Sequence, residues 1–269
     1  MHVRGTLDRR EGRRLFGFDP ATYDAVRPGH PDEVYAVLRD RCGLRPGSAV
    51  LEVGPGTGQA TRRLLELGAG PLVALEPDPR LAVFLRSRVG AAVVVVESAL
   101  EDAELEPAAF DIAVAASSFH CVEEDRGLAR LRGALRPGGW VALWWTAFGD
   151  ESRPDRFSKA LDPLFEEVPR SPSGPRDGRP GFARDAERRL EALERAGFVE
   201  SAHQEFGWRH AWDAAGVRRL YATFSPILSL EPERREQVLD EIERIARTRF
   251  AGRVEKRLVT SLYTACKPS

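Results

Sequence analysis

From Ser48 onward the chain alternates, at short and regular intervals, between two kinds of apolar pattern. Ser48–Val53 (SAVLEV) is a short apolar run stopped by glycines, which reads as a buried strand. Ala60–Leu67, with Leu64, Leu65 and Leu67, reads as a short helix ending at Gly68. Pro71–Leu75 is a second strand. Asp78-Pro79 marks a helix start, because Asp caps free N–H groups and Pro suits the first helical position. Leu81, Phe84 and Leu85 give that helix its apolar face. Ala92–Val96, Ile112–Ala116 and Trp140–Trp145 read as three more strands, and Leu128, Leu131 and Leu135 mark a helix that ends at Pro137-Gly138. Strands alternating with helices at this spacing build βαβ units around a parallel sheet. Near-continuous apolar strands are what a sheet covered on both faces requires.

Beyond Thr146 the rhythm breaks. Residues 168–182 (VPRSPSGPRDGRPGF) hold four prolines and three glycines and read as a loop. A helix near Asp185–Ala196 and a strand pattern at Phe198–Trp208 follow. Residues 211–250 read as helical, with Val238, Leu239, Ile242, Ile245 and Ala246 on one stripe, and Arg257–Cys266 alternates as a last strand. The stripe must pack on the sheet edge or on a second subunit, which leaves monomer and homodimer both open. The chain therefore divides into an N-terminal segment at 1–42 and a main domain at 43–269. That domain carries insertions at 147–183 (the Pro/Gly-rich loop) and 211–250 (a helical lid).

Composition excludes several classes. Forty basic against 41 acidic side chains leave a net charge of −1, too little for a nucleic-acid binder that works by bulk charge. Cys42, Cys121 and Cys266 are odd in number and form no CxxC, against a zinc cluster or a disulfide framework and in keeping with a reducing cytoplasm. The five histidines, His2, His30, His120, His203 and His210, show no metal-ligand spacing. The longest apolar runs, Ala91–Val96 and Trp140–Trp145, are six residues each, far below the ~18 that a membrane helix needs. Arg4, Arg9, Arg10, Arg13 and Arg14 precede no apolar stretch, so the N-terminus reads as a basic tail and not as a secretory signal.

The densest chemical signal is Leu51-Glu52-Val53-Gly54-Pro55-Gly56-Thr57-Gly58, between a strand and a helix. Glycines there let the backbone turn and let a ligand approach the main chain, while the helix N-terminus beyond offers free N–H groups. A tight βα connection alone would also use glycines. The spacing is G-x-G-x-G, and Gln59 stands where the dinucleotide fingerprint needs its third glycine. Glu52, two residues before the first glycine, suits a ligand with an ammonium group better than a pyrophosphate. Glu76, at the end of the second strand, is where an acid can accept both hydroxyls of a ribose.

With these motifs in hand, the chain resembles the class I S-adenosylmethionine-dependent methyltransferases. E-V-G-P-G-T-G is similar to that family's first motif and L-E-P-D to its second. Ser98-Ala99-Leu100-Glu101-Asp102 resembles the segment flanking the adenine, Phe110-Asp111-Ile112-Ala113-Val114 the fourth-strand motif, and Leu135-Arg136-Pro137-Gly138-Gly139-Trp140 the turn before strand five. Ser118-Phe119-His120, with Tyr23 and Arg27-Pro28 upstream, looks like the small-molecule branch around the ubiquinone/menaquinone and trans-aconitate methyltransferases. Cys121 departs from the Trp often found there. The N-P-P-Y motif of many amino-methylating nucleic-acid enzymes is absent, and Ala116-Ser117-Ser118-Phe119 stands in its place.

The resemblance implies a Rossmann-like seven-stranded sheet of order 3-2-1-4-5-7-6, strand 7 antiparallel, flanked by helices. It implies S-adenosyl-L-methionine as cofactor, no metal, and in-line methyl transfer to a small molecule, with oxygen favoured as acceptor atom. Glu52, Gly54, Gly56, Gly58, Glu76, Leu100, Glu101 and Ser117 would then bind the cofactor. Tyr23, Arg27 and Trp145 would meet the substrate. His120, beyond the fourth strand, would be the catalytic candidate, as a base, a hydrogen-bonding positioner or a mere cap. Two other functions stay open on the residues: a nicotinamide-dependent oxidoreductase, against which Glu52 and Gln59 argue, and a catalytically silent S-adenosylmethionine-binding partner protein.

Overall fold

The computed structural model describes residue 15 and residues 17–149, 153–171, 173–175 and 179–269. The basic stretch from Arg4 to Arg14 lies outside the described residues. Seven strands, β1 (Val50–Val53), β2 (Leu72–Leu75), β3 (Val94–Val96), β4 (Phe110–Ala116), β5 (Leu135–Ala147), β6 (Val199–Asp213) and β7 (Arg253–Cys266), form one sheet of order β3-β2-β1-β4-β5-β7-β6. β1 runs parallel to β2 and β4, β2 to β3, and β4 to β5. β7 is antiparallel: Gly138 and Gly139, early in β5, exchange backbone bonds of 3.0 and 2.8 Å with Lys267, just past the end of β7. This is the sheet that the βαβ rhythm and the resemblance imply.

Ten helices are described: α1 (Pro20–Val26), α2 (Asp32–Asp40), α3 (Gln59–Glu66), α4 (Pro79–Val89), α5 (Glu124–Ala134), α6 (Arg156–Leu161), α7 (Ala186–Arg195), α8 (Ala214–Ala222), α9 (Ser225–Leu228) and α10 (Pro232–Arg249). As the Asp78-Pro79 pair requires, Asp78 caps α4 by accepting from the Arg80 N–H at 2.9 Å.

Contacts divide the chain into two compact units. One comprises Gly29–Thr146, Pro175–Phe206 and Thr260–Ser269, its described residues forming a three-layer arrangement. Successive strand residues point to opposite faces. Leu51 and Val53 of β1, Ala113 and Ala115 of β4, and Val141, Leu143 and Trp145 of β5 pack in one core with Leu128 and Leu131 of α5 and Ala192 and Leu193 of α7. Val50, Ile112, Val114, Ala142 and Trp144 face the other way, onto Val34, Tyr35 and Leu38 of α2, Leu64 of α3 and Leu85 of α4. The other unit comprises the described residues of Met1–Pro28, Ala147–Gly174 and Gly207–Val259. Its core joins Val26, Phe157, Val217, Leu220, Val238, Leu239, Ile242, Ile245, Val254 and Leu258. The stripe read from the sequence of α10 is thus buried within this unit.

Several boundaries differ from the sequence reading. The helix expected to reach Pro137-Gly138 ends at Ala134, because a residue before proline is disfavoured in the helical region and proline brings no N–H. Leu135 already pairs with Phe110, and the ladder carries an irregularity between Phe110 and Ile112. β6 runs past Trp208 to Asp213, whose carboxylate caps α8 from the Gly216 N–H, so residues 211–213 are strand and not helix. The last strand starts four residues earlier than its expected Arg257, at Arg253.

Candidate functional site

β1 delivers the glycine turn. Gly54 and Gly56 lie at φ +65° and +59°, in the left-handed region that side-chain-bearing residues rarely adopt. A Cβ on Gly54 would stand 2.5 Å from the Ser118 Cβ, whereas one on Gly56 would meet nothing within 4 Å. The two glycines therefore answer different needs: Gly54 admits the chain after β4, and Gly56 borders open space. Gly58 is the left-handed N-cap of α3 and its missing Cβ makes room for Leu85.

Two buried carboxylates frame this turn. Glu76 is 4% exposed; its Oε2 accepts from the Gly56 N–H at 3.0 Å and its Oε1 from the Asp78 N–H at 3.0 Å. Glu76 thus ties the end of β2 to the glycine turn. Glu52 is fully buried, and neither of its carboxylate oxygens has a hydrogen-bond partner among the described residues. Burial pushes Glu52 up to about 7, against the pull of the nearby Thr61 hydroxyl and with a further push from the negative Glu76. A group in this position calls for a cation.

The segment after β3 is similarly braced. Leu100 is buried, and the Arg130 guanidinium donates to the Leu100 carbonyl at 2.6 Å and also to the Ala103 carbonyl. Glu101 Oε1 accepts from the Glu123 N–H, the N-cap of α5, at 3.0 Å. Its Oε2 is buried with no partner among the described residues, so it can accept from an incoming amine. The motif acid Asp111 plays a structural part: it accepts from the Ala49 N–H at 2.7 Å and pairs with Arg136 at 2.7 Å.

Beyond β4 the chain passes close to the glycines. Ser117 takes φ +56°, and its N–H donates to the Trp144 carbonyl at 2.7 Å. The Ser118 hydroxyl donates to the Val53 carbonyl. His120 follows in a single 3₁₀ turn, Phe119–Cys121, where its Nδ1 accepts from the Trp145 indole N–H at 3.2 Å. Trp145 is 5% exposed and packs edge-on against Phe182 and Tyr263, at 5.4 and 6.0 Å between centroids. It was expected to line a substrate pocket; its visible task is to hold His120. His30, in the same unit, lies edge-on to Trp144 with its Nδ1 3.3 Å from the Thr146 hydroxyl. Burial lowers His30 to about 4, so it is neutral at ordinary pH.

Tyr23 and Arg27 belong to the other unit. The Arg27 Nε donates to the Thr223 hydroxyl at 2.9 Å, and its guanidinium lies over the rings of Tyr23, Phe148 and Phe224 at 4.9, 4.6 and 4.6 Å. Desolvation lowers its pKa. Among the described residues no group of three His, Cys, Asp or Glu side chains could hold a metal ion. No described helix is long and apolar enough to cross a membrane.

Sequence reasoning reached the glycine turn and both acids but missed Thr61, Arg130, the bond from the Ser118 hydroxyl to Val53 and the bond between Trp145 and His120. Thr61, a polar residue beside Ala60 on the inner face of an amphipathic helix, carried a local signal. The Trp145–His120 bond carried none, because sequence separation hides it.

These contents fit S-adenosylmethionine: an unpaired buried carboxylate for its ammonium, an acid at the end of β2 for its ribose, a spare acceptor at Glu101 for its adenine amine, and an open face at Gly56. Comparisons agree. Residues 51–143 match the methyltransferase domain family Methyltransf_11. The chain is similar to an uncharacterized methyltransferase of Schizosaccharomyces pombe, at 26% identity across 94% of this chain and 97% of that protein. It is 32% identical to an uncharacterized methyltransferase of Mycobacterium tuberculosis over 52% of this chain and 55% of that one. Its fold is similar to Haemonchus contortus phosphoethanolamine N-methyltransferase 2, solved with phosphomonomethylethanolamine and S-adenosylhomocysteine. That likeness has a TM-score of 0.59 and 15% identity, covering 96% of this chain and 60% of the other.

Proposed function

We infer that this chain, a class I S-adenosylmethionine-dependent methyltransferase, methylates a small molecule, with oxygen as the favoured acceptor atom. The observation that carries the reading is the buried Glu52 carboxylate, without a hydrogen-bond partner among the described residues, beside the open Gly56 turn and the Glu76 tether. When bound, the cofactor supplies a methyl carbon on a positively charged sulfur that leaves as a neutral thioether. Glu52 would face its ammonium, Glu76 its ribose hydroxyls, Leu100 and Glu101 its adenine, and Ser117, with Gly54 and Gly58 shaping the turn, the side nearest β4.

A protein doing this chemistry needs to hold two reactants aligned and dry, and alignment alone can supply up to ~7–11 kcal/mol. No covalent enzyme intermediate is required. His120 lies two residues beyond Ser118, which itself packs against the glycine turn, and is our candidate for contact with the acceptor. Tyr23 and Arg27 are proposed to act on acceptor choice, Arg27 by pairing an acidic group. The small-molecule class is supported by the near-neutral charge and by Ala116-Ser117-Ser118-Phe119 in place of N-P-P-Y. Three cysteines, Cys42, Cys121 and Cys266, with no CxxC among them, support a reducing, cytoplasmic location.

Calorimetric titration with S-adenosylhomocysteine and with NAD tests the cofactor. We expect micromolar binding of the first and none of the second; the reverse would return the chain to the oxidoreductases. Transfer of labelled methyl from S-adenosylmethionine into a metabolite extract tests turnover, and transfer into RNA or protein alone would refute the small-molecule reading.

A further inference from the structure

We propose that Phe182, the last residue of the Pro/Gly-rich loop, meets an apolar or aromatic part of the acceptor, and that Arg189 is the positioning residue that holds its ring in place. The role at the acceptor rests on the reading that His120 lies there, while the clamp on Phe182 stands on geometry alone. Every residue of the clamp belongs to the same unit. Phe182 opens a single 3₁₀ turn, Phe182–Arg184. The Arg189 guanidinium, from α7, lies 3.7 Å from the centroid of the Phe182 ring, and its Nη1 donates to the Phe182 carbonyl at 3.3 Å. One side chain therefore holds both the ring and the backbone of the same residue. The ring packs edge-on against Trp145 at 5.4 Å between centroids and tilts against His120 at 6.4 Å. The next two residues are tied as well. The Tyr263 hydroxyl donates to the Ala183 carbonyl at 2.9 Å, and the Arg184 Nε lies 3.1 Å from a Glu205 oxygen that also accepts from Ser261 at 3.0 Å.

Arg189 is itself a costly residue to place. It is 4% exposed, and its counterion is Glu124, the first residue of α5. The Arg189 Nη2 donates to Glu124 Oε2 at 3.0 Å, and Nε lies 2.8 Å from Oε1. Desolvation raises the pKa of the Glu124 carboxyl and lowers that of the Arg189 guanidinium, each against the opposite pull of its partner. Removing both charges from water costs about as much as their attraction returns, and apolar side chains of similar size often serve stability equally well. Net stability is thus a weak reason for a guanidinium here, whereas its two contacts with Phe182 are specific. Phe182 and His120 are each only partly buried. A fixed, half-covered ring beside an imidazole sets an apolar surface next to a polar group, the pairing that orients a small molecule with an apolar body and a polar reacting atom. Because the ring is already immobilised, meeting such a ligand costs little further side-chain freedom.

The clamp is read from the Trp145 indole N–H in a ¹H–¹⁵N correlation spectrum of the ¹⁵N-labelled full chain, identified by its loss in Trp145→Phe. The Phe182 ring current acts on that signal, so Phe182→Leu should move it. The double variant Glu124→Leu, Arg189→Met removes the clamp without leaving a lone buried charge, and should move the signal at a melting temperature near the parent's. Arg189→Lys keeps a charge beside Glu124 but loses the planar stack and the bond to the Phe182 carbonyl, and should move it as well. An indole signal that stays in place in the folded Arg189 variants overturns the proposal. The second measurement follows labelled methyl transfer from S-adenosylmethionine over a dilution series of a metabolite extract. Phe182→Leu should need about tenfold more extract for half of its saturating rate, with that rate within about threefold of the parent's and affinity for S-adenosylhomocysteine unchanged. The double variant should behave alike, and combining it with Phe182→Leu should add nothing, because Arg189 acts through Phe182. An unchanged half-saturating amount in Phe182→Leu, or full additivity in the combined variant, overturns the proposal. Calorimetry separates it from the reading on which it rests: a parent chain that binds no S-adenosylhomocysteine refutes the methyltransferase assignment and leaves the indole shifts as they were.

Discussion

Glu52→Gln should change how stability depends on pH, in a direction set by burial. Glu52 is fully buried, unpartnered among the described residues, and pushed up to about 7 from a usual 4.5. A carboxyl group whose pKa is raised on folding holds its proton more tightly in the folded chain than in the unfolded one. Its contribution therefore favours folding at low pH, declines as pH rises through the interval from 4.5 to about 7, and is a full penalty above. The interval spans about 2.5 pH units and each is worth about 1.4 kcal/mol, so ionised Glu52 costs the ligand-free protein about 3 kcal/mol above pH 7. Gln keeps the shape and cannot ionise; its own burial cost does not vary with pH. Urea unfolding of both proteins without ligand, from pH 5 to pH 8, should show the parent losing about 2–3 kcal/mol of stability relative to Glu52→Gln. Parallel curves would refute the assignment of Glu52 as a buried, unpaired acid.

The same linkage reaches the ligand. A cation placed against Glu52 would restore its usual pKa, so binding would take place to the ionised form. Affinity for S-adenosylhomocysteine should then rise roughly twentyfold in the parent chain between about pH 5.5 and pH 8, and stay nearly flat in Glu52→Gln. An equally flat profile in the parent, with the stability result intact, would separate Glu52 from the ligand's ammonium without disturbing its burial.

Replacing Glu76 by Ala should weaken S-adenosylhomocysteine binding by about tenfold to over a hundredfold, the worth of about 1.5–3 kcal/mol of lost hydrogen bonds. Because Glu76 also tethers Gly56 and Asp78, the calorimetry belongs beside a melting curve; unchanged affinity in a folded variant sinks the ribose assignment. Gly54→Ala should lower stability by about 1–3 kcal/mol, since its Cβ would sit 2.5 Å from that of Ser118 at φ +65°. Gly56→Val, strained at φ +59°, should lose stability and bind no S-adenosylhomocysteine, because its side chain would enter the open space beside the turn; normal binding by the variant would show that this space is not the ligand's. Methyl transfer should survive EDTA, and loss on chelation with recovery on adding magnesium would reveal a metal requirement.

What the sequence made legible was set by locality. The β1 strand, its glycine turn and the Asp78-Pro79 cap are encoded within a few residues, and each forms at its expected place. The limits of β5 were not legible, because Pro137-Gly138 reads as a break while Gly138 and Gly139 pair with Lys267 far along the chain. Glu101 shows a middle case. Its segment was recognisable, but the division of labour between its two oxygens, one capping α5 and one left over, depends on where α5 begins relative to that turn. The reading of Arg27 as a partner for an acidic group is local, whereas the seat of its guanidinium over three rings and its bond to Thr223 are not. Nothing near Arg27 in sequence announces Phe148, Thr223 or Phe224.

The pair Trp144-Trp145 shows how strand geometry distributes function that composition lumps together. Two adjacent indoles at the end of β5 invite the reading of a common aromatic pocket. Adjacent strand residues must point to opposite faces, so they cannot share one. Trp144 goes to the face of α2, edge-on to His30 and Tyr35. Trp145 goes to the face of α5 and α7 and bonds to His120. One dipeptide therefore braces two imidazoles on opposite sides of the sheet, and the two braces differ in kind. Against Trp144, His30 has only a ring edge and a threonine hydroxyl, and burial holds it neutral. Against Trp145, His120 has a directed N–H that meets its Nδ1 at 3.2 Å. Exchanging the aromatic character of residue 144 alters packing, whereas removing the indole nitrogen of residue 145 removes a hydrogen-bond donor from a histidine.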